Sequence, residues 1–430
     1  MATAKQLITR IEAGEFDGVF GRLYAHDAAV IETQRKRYIQ TIQEFEECFG
    51  EGRDLRIYSA PGRTELGGNH TDHNNGVVMA AGVNLDIIAV VSKNDNNVIN
   101  FKSKGFGRID GIDLNRLEPV ESEASHSAAL IRGVAAGVAK VGGKVGGFDA
   151  FSTSDVLRGS GLSSSAAFEM GMAAIWNGEY GCGLAPAELA KICQYAENTY
   201  FGKPSGLLDQ LTSAVGGIIF ADFAAPRTPK IEKLHADGLL PEGMFLCVTD
   251  TRGSHSELTG EFAAIRQEME QVAACFGKPL LGQVEEGAFW AALPALRSRC
   301  GDRAVLRAIH YFEENARTLA QRDALYAKQF PVFARLVKQS GQASFALCQN
   351  VYCTADVRHQ GLSVALALSQ SILEGTEGAW RMQGGGFAGT IQAYVPGRLL
   401  GRYHEAIERV FGQGSCYVLR LREQGAVRVI

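Results

Sequence analysis

Residues 60–76 read "APGRTELGGNHTDHNNG" and gather an arginine, a glutamate, an aspartate and two histidines among four glycines. The segment concentrates charge and backbone freedom in one short stretch. Its flanks read as strands. "RIYSA" (56–60), "GVVMAAGVNLDIIAVVSK" (76–93) and "NVINFKS" (97–103) are rich in β-branched residues and separated by Gly and Asn turn signals, which predicts an N-terminal sheet.

Upstream, "AAVIETQRKRYIQTIQEFEECF" (28–49) spaces its apolar residues at helical intervals and stops at "GEGRD". Downstream, 126–140 and 186–200 read as helices, 147–155 as a strand, and 162–180 as a buried helix behind a glycine loop. Strands follow at 216–223 and 244–250, then a largely helical stretch from 257 to about 377. The tail holds "AWRMQGGGFAGTIQAYVP" (379–396), a helix near 398–411 and "CYVLRL" (416–421), and reads as a small α+β domain. The expected division is 1–225 and 226–430.

A length of 430 residues with 46% hydrophobic content supports two or three folded domains. Lys+Arg at 43 against Asp+Glu at 47 leaves a net charge of -4 without a basic block, which argues against nucleic acid or an anionic membrane and for a small-molecule partner. The first residues lack a continuous apolar run, so neither a signal peptide nor a span is expected, and the chain reads as cytoplasmic. Nine cysteines without zinc-site spacing read as reduced thiols.

Three glycine-bearing constellations carry the chemistry. In "RGSGLSSSAAFEM" (158–170), Gly159 and Gly161 precede a helical run, where backbone amides can approach a phosphate and a first-turn serine can ligate Mg²⁺. On its own such a loop is more simply a serine N-cap. "QGGGFAGT" (383–390) contains G-x-G-x-x-G, yet β-branched "TIQAYV" follows it instead of a helix, so a glycine turn between strands fits better than a nicotinamide site. In "AENTYFGKPSGLLDQLTSAVGG" (196–217), Glu197 and Asp209 flank a Gly/Pro turn and can converge on one cleft. Asp209 sits among leucines, and a partly buried carboxylate near an arginine is a candidate catalytic group.

Together these motifs, in this order, resemble the galactokinases among the GHMP small-molecule kinases, from about residue 55 to the end. The resemblance implies an α+β, two-domain GHMP kinase fold, with a mixed-sheet N-terminal domain behind a helical extension and a ferredoxin-like α+β C-terminal domain. It implies an ATP-dependent sugar 1-kinase, a monomer or weak dimer, using Mg²⁺. Arg63 and Asp209 match the catalytic pair; Gly159, Ser160, Gly161, Leu162, Ser163, Ser164 and Ser165 match the phosphate loop; Ser165 and Glu197 match the Mg²⁺ ligands. Asn69, His70, Asp72, Gly206 and Phe262 stand at sugar-binding positions.

The departures lie on the recognition side. "NHTDHN" stands where the family has Glu-His-Thr-Asp-Tyr-Asn, so a glutamate that meets the sugar's C6 hydroxyl has become Asn69 and a tyrosine has become His73. A family tyrosine matches Phe262, a proline matches Leu157, and the adenine-packing aromatics are replaced near Ser127 and Leu130. A neutral Asn69, with His73 as a cationic partner, opens galacturonate or a pentose as alternative substrates. A non-catalytic sugar sensor of the same family is the rival class, and the intact "GLSSSAA" with Arg63 and Asp209 favours catalysis.

Overall fold

The computed structural model describes residues 2–156, 161–203, 205–225, 228–235, 238, 240–253 and 258–430. Strand β1 (Arg56–Gly67) runs antiparallel to β2 (Val77–Lys93), which is buried over nearly its whole length. Continuous burial fits a sheet covered on both faces, and the apolar run of β2 is the sequence counterpart of that cover. The order continues through β5 (Phe148–Ser154) to β3 (Val98–Ser103) and β4 (Arg108–Asp113), with β3 and β5 parallel, so the sheet is mixed. The other end of β2 pairs with β6 (Ile218–Asp222), which pairs with β7 (Lys230–Leu234).

Helices Ser127–Lys140, Ser164–Glu179, Pro186–Ala196 and Leu208–Val215 cover one face of this sheet. Helices Ala4–Glu12, Asp17–Leu23 and Ala28–Phe49 cover the other, packing Phe20, Tyr38 and Phe45 onto Ile57, Ile88 and Phe151. The longest of these is capped where its sequence ends the period: Asp27 accepts from the amides of Ala29 and Val30, and Gly50 closes it at φ +89°.

A second sheet has the antiparallel order β11-β8-β10-β9, from β8 (Met244–Asp250), β9 (Ala379–Met382), β10 (Thr390–Pro396) and β11 (Cys416–Leu419). Fourth, first, third, second is the order of a ferredoxin-like unit, as expected. Helices Gly361–Leu373 and Gly397–Phe411 cover one face. Between the sheets, Leu66, Met79 and Phe220 from the first pack with Leu246, Tyr394 and Phe333 in one continuous core.

The expected division at 225 falls between β6 and β7, which are hydrogen-bonded neighbours. Strand β12 (Val427–Arg428) also returns to pair with β1. The first sheet is therefore built from both ends of the chain. All nine cysteines are free, five of them buried. No described helix is long and apolar enough to cross a membrane.

Candidate active site

The pairing of β1 with β2 slips between Pro61 and Arg63, a bulge that re-aims the arginine out of the ladder. Gly62 sits in the bulge because a Cβ there would lie 2.9 Å from the Leu162 carbonyl, and the Arg63 amide donates to that same oxygen at 3.1 Å. The first motif is thereby fastened to the loop before helix Ser164–Glu179. Arg63 Nε donates to Asp209 Oδ1 at 2.7 Å, and its NH1 donates to the Gly161 carbonyl. Ser163 Oγ donates to Asp209 Oδ2 at 2.5 Å. Asp209 lies in the first turn of helix Leu208–Val215 and its side chain is 36% exposed, open to a ligand on one side. Burial pushes its pKa up, but Arg63, Ser163 and Lys203 outweigh that and hold it below the usual carboxylate value. At neutral pH it is an anion.

A second carboxylate lies beside this pair. Glu197 is 2% exposed, at the end of helix Pro186–Ala196. It accepts from Gln210 at 2.8 Å, from Lys203 at 2.9 Å and from Ser165 Oγ at 3.3 Å. Gln210 follows Asp209 directly, so one helix turn links the two carboxylates. Glu169, fully buried beside them, keeps Oε1 without a partner, and burial followed by the charge of Glu197 raises its pKa well above normal. Among the described residues, no three His, Cys, Asp or Glu side chains are arranged to hold a metal ion by themselves.

The structure brings the sugar-binding candidates to a neighbouring wall. A Cβ at Gly206 would collide with the Asp72 carboxylate, so glycine makes room for that acid. Burial, with the nearby charge of Asp209, raises the pKa of Asp72. His70, at φ +59°, donates from Nε2 to the Gly385 carbonyl at 2.9 Å, which leaves Nδ1 as an acceptor. Burial lowers its pKa to about 4. Phe262 packs on the same turn, against Gly385 and edge-on to Phe387 at 5.3 Å. That turn joins β9 to β10, in accord with the sequence reading, and Gly384 lies against Gly161 of the phosphate loop.

Two expectations change here. Burial, then His70, Arg266 and His310, hold the pKa of His73 well below normal, and its Nδ1 accepts from Asn74 at 2.9 Å. It is neutral, and supplies no cation for a carboxylate. Asn69 is 1% exposed and has spent its amide on protein: Nδ2 donates to the Gly384 carbonyl at 2.6 Å and to Glu65 at 3.1 Å, while Oδ1 accepts from Asn350 at 2.8 Å. Nothing is left to read a C6 substituent. Gly159 and Ser160, with Leu157, lie outside the described residues.

The seam around Asn69 contains residues that sequence reasoning missed. Arg381, fully buried, donates to Glu65 at 2.7 Å and to the Leu66 carbonyl at 2.9 Å. Gln392 donates to Thr64, Thr64 to Gln383, and His310 to the Asn69 carbonyl at 2.9 Å. Burial raises the pKa of Glu65 to about 7, against the pull of Arg381 and Arg63. The one signal available was an arginine placed inside the otherwise apolar strand β9. On the opposite side of the phosphate loop, a cleft of about 1210 Å³ extends from Ser164 and Ser165 to Ser127 and Leu130.

Comparison with known proteins agrees with this arrangement. Residues 43–93 match the galactokinase galactose-binding signature, and residues 129–217 match the GHMP kinases N terminal domain. The chain is 30% identical to the galactokinase of Streptomyces coelicolor over 89% of its own length and 95% of the relative's. It is 32% identical to the galactokinase of Actinobacillus pleuropneumoniae serotype 3, over 82% and 88%. The galactose complex of Lactococcus lactis galactokinase shares the fold at a TM-score of 0.79 and 22% identity, covering 91% of this chain and 100% of that one. Methanococcus jannaschii mevalonate kinase superposes at 0.62 with 15% identity, over 86% and 98%. Matched over 89% of its length at 30% identity, with its signature segment and phosphate loop inside the matched family regions, the chain belongs to the galactokinase family of GHMP kinases.

Proposed function

We propose that this chain is a kinase that transfers the γ-phosphoryl group of ATP to the anomeric hydroxyl of galactose. The observation that carries the reading is the 2.7 Å bond from Arg63 Nε to Asp209 Oδ1, set where the signature segment, the phosphate loop and the third glycine turn meet. Arg63 and Asp209 are the catalytic pair. Asp209 accepts the anomeric proton, and Arg63 holds it ionised and stabilises charge on the attacking oxygen. A carboxylate of lowered pKa is a weak base, so the proton moves as the oxygen–phosphorus bond forms and the alcohol becomes acidic, while the bond from γ-phosphorus to the bridging oxygen breaks and ADP leaves.

His70 and Asp72 orient the sugar, the neutral imidazole through Nδ1 and the carboxylate beside the space left by Gly206. Phe262 backs the turn that His70 holds. Gly161 to Ser165 face the phosphates. Ser165 and Glu197 offer hard oxygen donors, too few for a closed cage and suited to Mg²⁺, which keeps water and phosphate ligands. When bound, Mg²⁺ neutralises charge on the phosphates. The asparagine at 69, committed to the protein, gives no support to galacturonate as the preferred substrate.

The test is ADP release with ATP·Mg²⁺ across galactose, galacturonate, arabinose, N-acetylgalactosamine and glucose. Galactose is expected to give the highest kcat/KM and a sugar 1-phosphate product. Binding of sugar and nucleotide without turnover of any of the five would overturn the reading in favour of a sensor.

A further inference from the structure

Four of the free cysteines, Cys48, Cys182, Cys275 and Cys300, are only partly buried. Two of these face each other: the Sγ atoms of Cys275 and Cys300 lie 3.4 Å apart, although 25 positions separate them in the chain. Cys275 ends helix Thr259–Ala274, and Cys300 is the last residue of helix Leu293–Cys300. Both sulfurs sit against one apolar cluster with Val272, Leu293 and Leu296, so close packing of the two helix ends sets their separation. Burial first, then the bond with Cys275, pushes the Cys300 thiol up to about 11, so at neutral pH Cys300 is the protonated member and donates to Cys275.

The loop between the two cysteines braces the signature segment. Leu281 donates its amide to Asn74 Oδ1 at 3.1 Å, and Asn74 Nδ2 reaches Met269 Sδ, on the preceding helix, at 3.4 Å. Asn74 is thus held between the helix that Cys275 ends and the loop that Cys300 closes.

We infer that Cys275 and Cys300 form a redox-modification site, a dithiol that a low-molecular-weight disulfide converts to a reversible clasp at the base of this loop. The inference does not rest on the kinase reading. Cys275 loses its proton and its sulfur displaces one thiolate from the small disulfide. Cys300 then gives up its proton as its sulfur attacks Cys275 Sγ and displaces the second thiolate. One protein S–S bond and two small thiols replace two protein S–H bonds and one small S–S bond, so the electron pair passes to the small molecule. Closing a loop of this length removes freedom from the unfolded chain and leaves the folded one stabilised.

The test equilibrates wild type, Cys275→Ser and Cys300→Ser with oxidised glutathione, then reads alkylation and peptide masses at both positions together with thermal melting. Wild type is expected to lose both thiols to one cross-linked peptide, to melt about 4 °C higher, and to return to its reduced melting temperature with dithiothreitol. Cys300→Ser, with no resolving sulfur, is expected to hold one glutathionyl group on Cys275, and neither variant to gain melting temperature. Wild type that keeps both thiols open to alkylation, or that joins them without melting higher, overturns the inference.

Discussion

The two sides of the candidate active site are held together in opposite ways. On the phosphotransfer side, Arg63, Ser163, Asp209, Ser165 and Glu197 meet at an opening, and Asp209 keeps a third of its surface free. On the seam side, Glu65, Asn69, Arg381 and Asn350 are buried and bonded to one another. The first is polar because a substrate must arrive there. The second is polar because two sheets must meet in one register, and a buried group whose partner is misplaced costs more than an apolar contact would. A motif residue is thus not a ligand contact merely by belonging to the motif. Asn69 and His70 are neighbours in sequence and both bond the turn at Gly384 and Gly385, yet Asn69 spends its whole amide in the buried seam while His70 spends Nε2 alone, on the wall proposed for the sugar.

Substitutions that strike one side and spare the other sharpen that contrast. The largest effect is expected from Asp209→Asn, which removes the proton acceptor and the charge facing Arg63. Its kcat should fall by about a thousandfold, while the melting temperature and ATP-analogue affinity stay near wild type. A stability loss with kcat retained would make the Arg63–Asp209 pair structural.

Next comes Asn69→Glu, which sets a second carboxylate against Glu65 in a buried site. The expected cost is about 3 kcal/mol of stability, read by chemical denaturation, with the galactose-to-galacturonate ratio of kcat/KM unchanged. The exchange variant, Glu65→Asn with Asn69→Glu, keeps one acid for Arg381 and should recover most of the loss. A changed sugar ratio in a fully stable Asn69→Glu protein would return residue 69 to the ligand side.

The smallest effect is a slope. His70 has a pKa of about 4 in the folded chain and an ordinary value near 6.5 when unfolded, so between those limits the unfolded state binds the extra proton. Stability contributed by the neutral ring is present above 6.5 and is lost as pH falls toward 4, at about 1.4 kcal/mol per pH unit. Glu65, raised to about 7, acts in the opposite sense, gaining as pH falls below 7. Comparing denaturation of wild type with His70→Gln between pH 4.5 and 6.5 isolates the histidine; equal slopes would show that burial does not keep it neutral.

Much of this was legible in the sequence because it is written locally. Helix Ala28–Phe49 carries its period and both caps within one run, and the strands of the second sheet carry theirs. Arg63, Ser165, Glu197 and Asp209 sit in glycine-marked motifs that resemble those of a family. What escaped was either weakly patterned or far apart. Strands β4 and β7 are short and half exposed, so neither alternates cleanly. Glu65 and Arg381 lie 316 positions apart, and Asn69 and Asn350 lie 281 apart, so no window of the chain displays either pair. The commitment of Asn69 to the seam could be read only once the turn at Gly384 was placed beside it.

Strand β12 sets Val427 opposite Ser59, and Arg422, wholly buried, reaches Asp86 at 3.0 Å beside Arg37 and Tyr24 from the N-terminal helices. The closing strand of the first sheet is therefore supplied by polypeptide that lies beyond the whole of the second. Entropy alone makes so long a closure only modestly costlier than a short one, but contacts this remote in sequence slow the search for them. Until the tail docks, Asp86 lacks one of its two arginines and β1 presents an unpaired edge. A single protease nick in the helices that join the sheets would separate each from a piece of its own architecture.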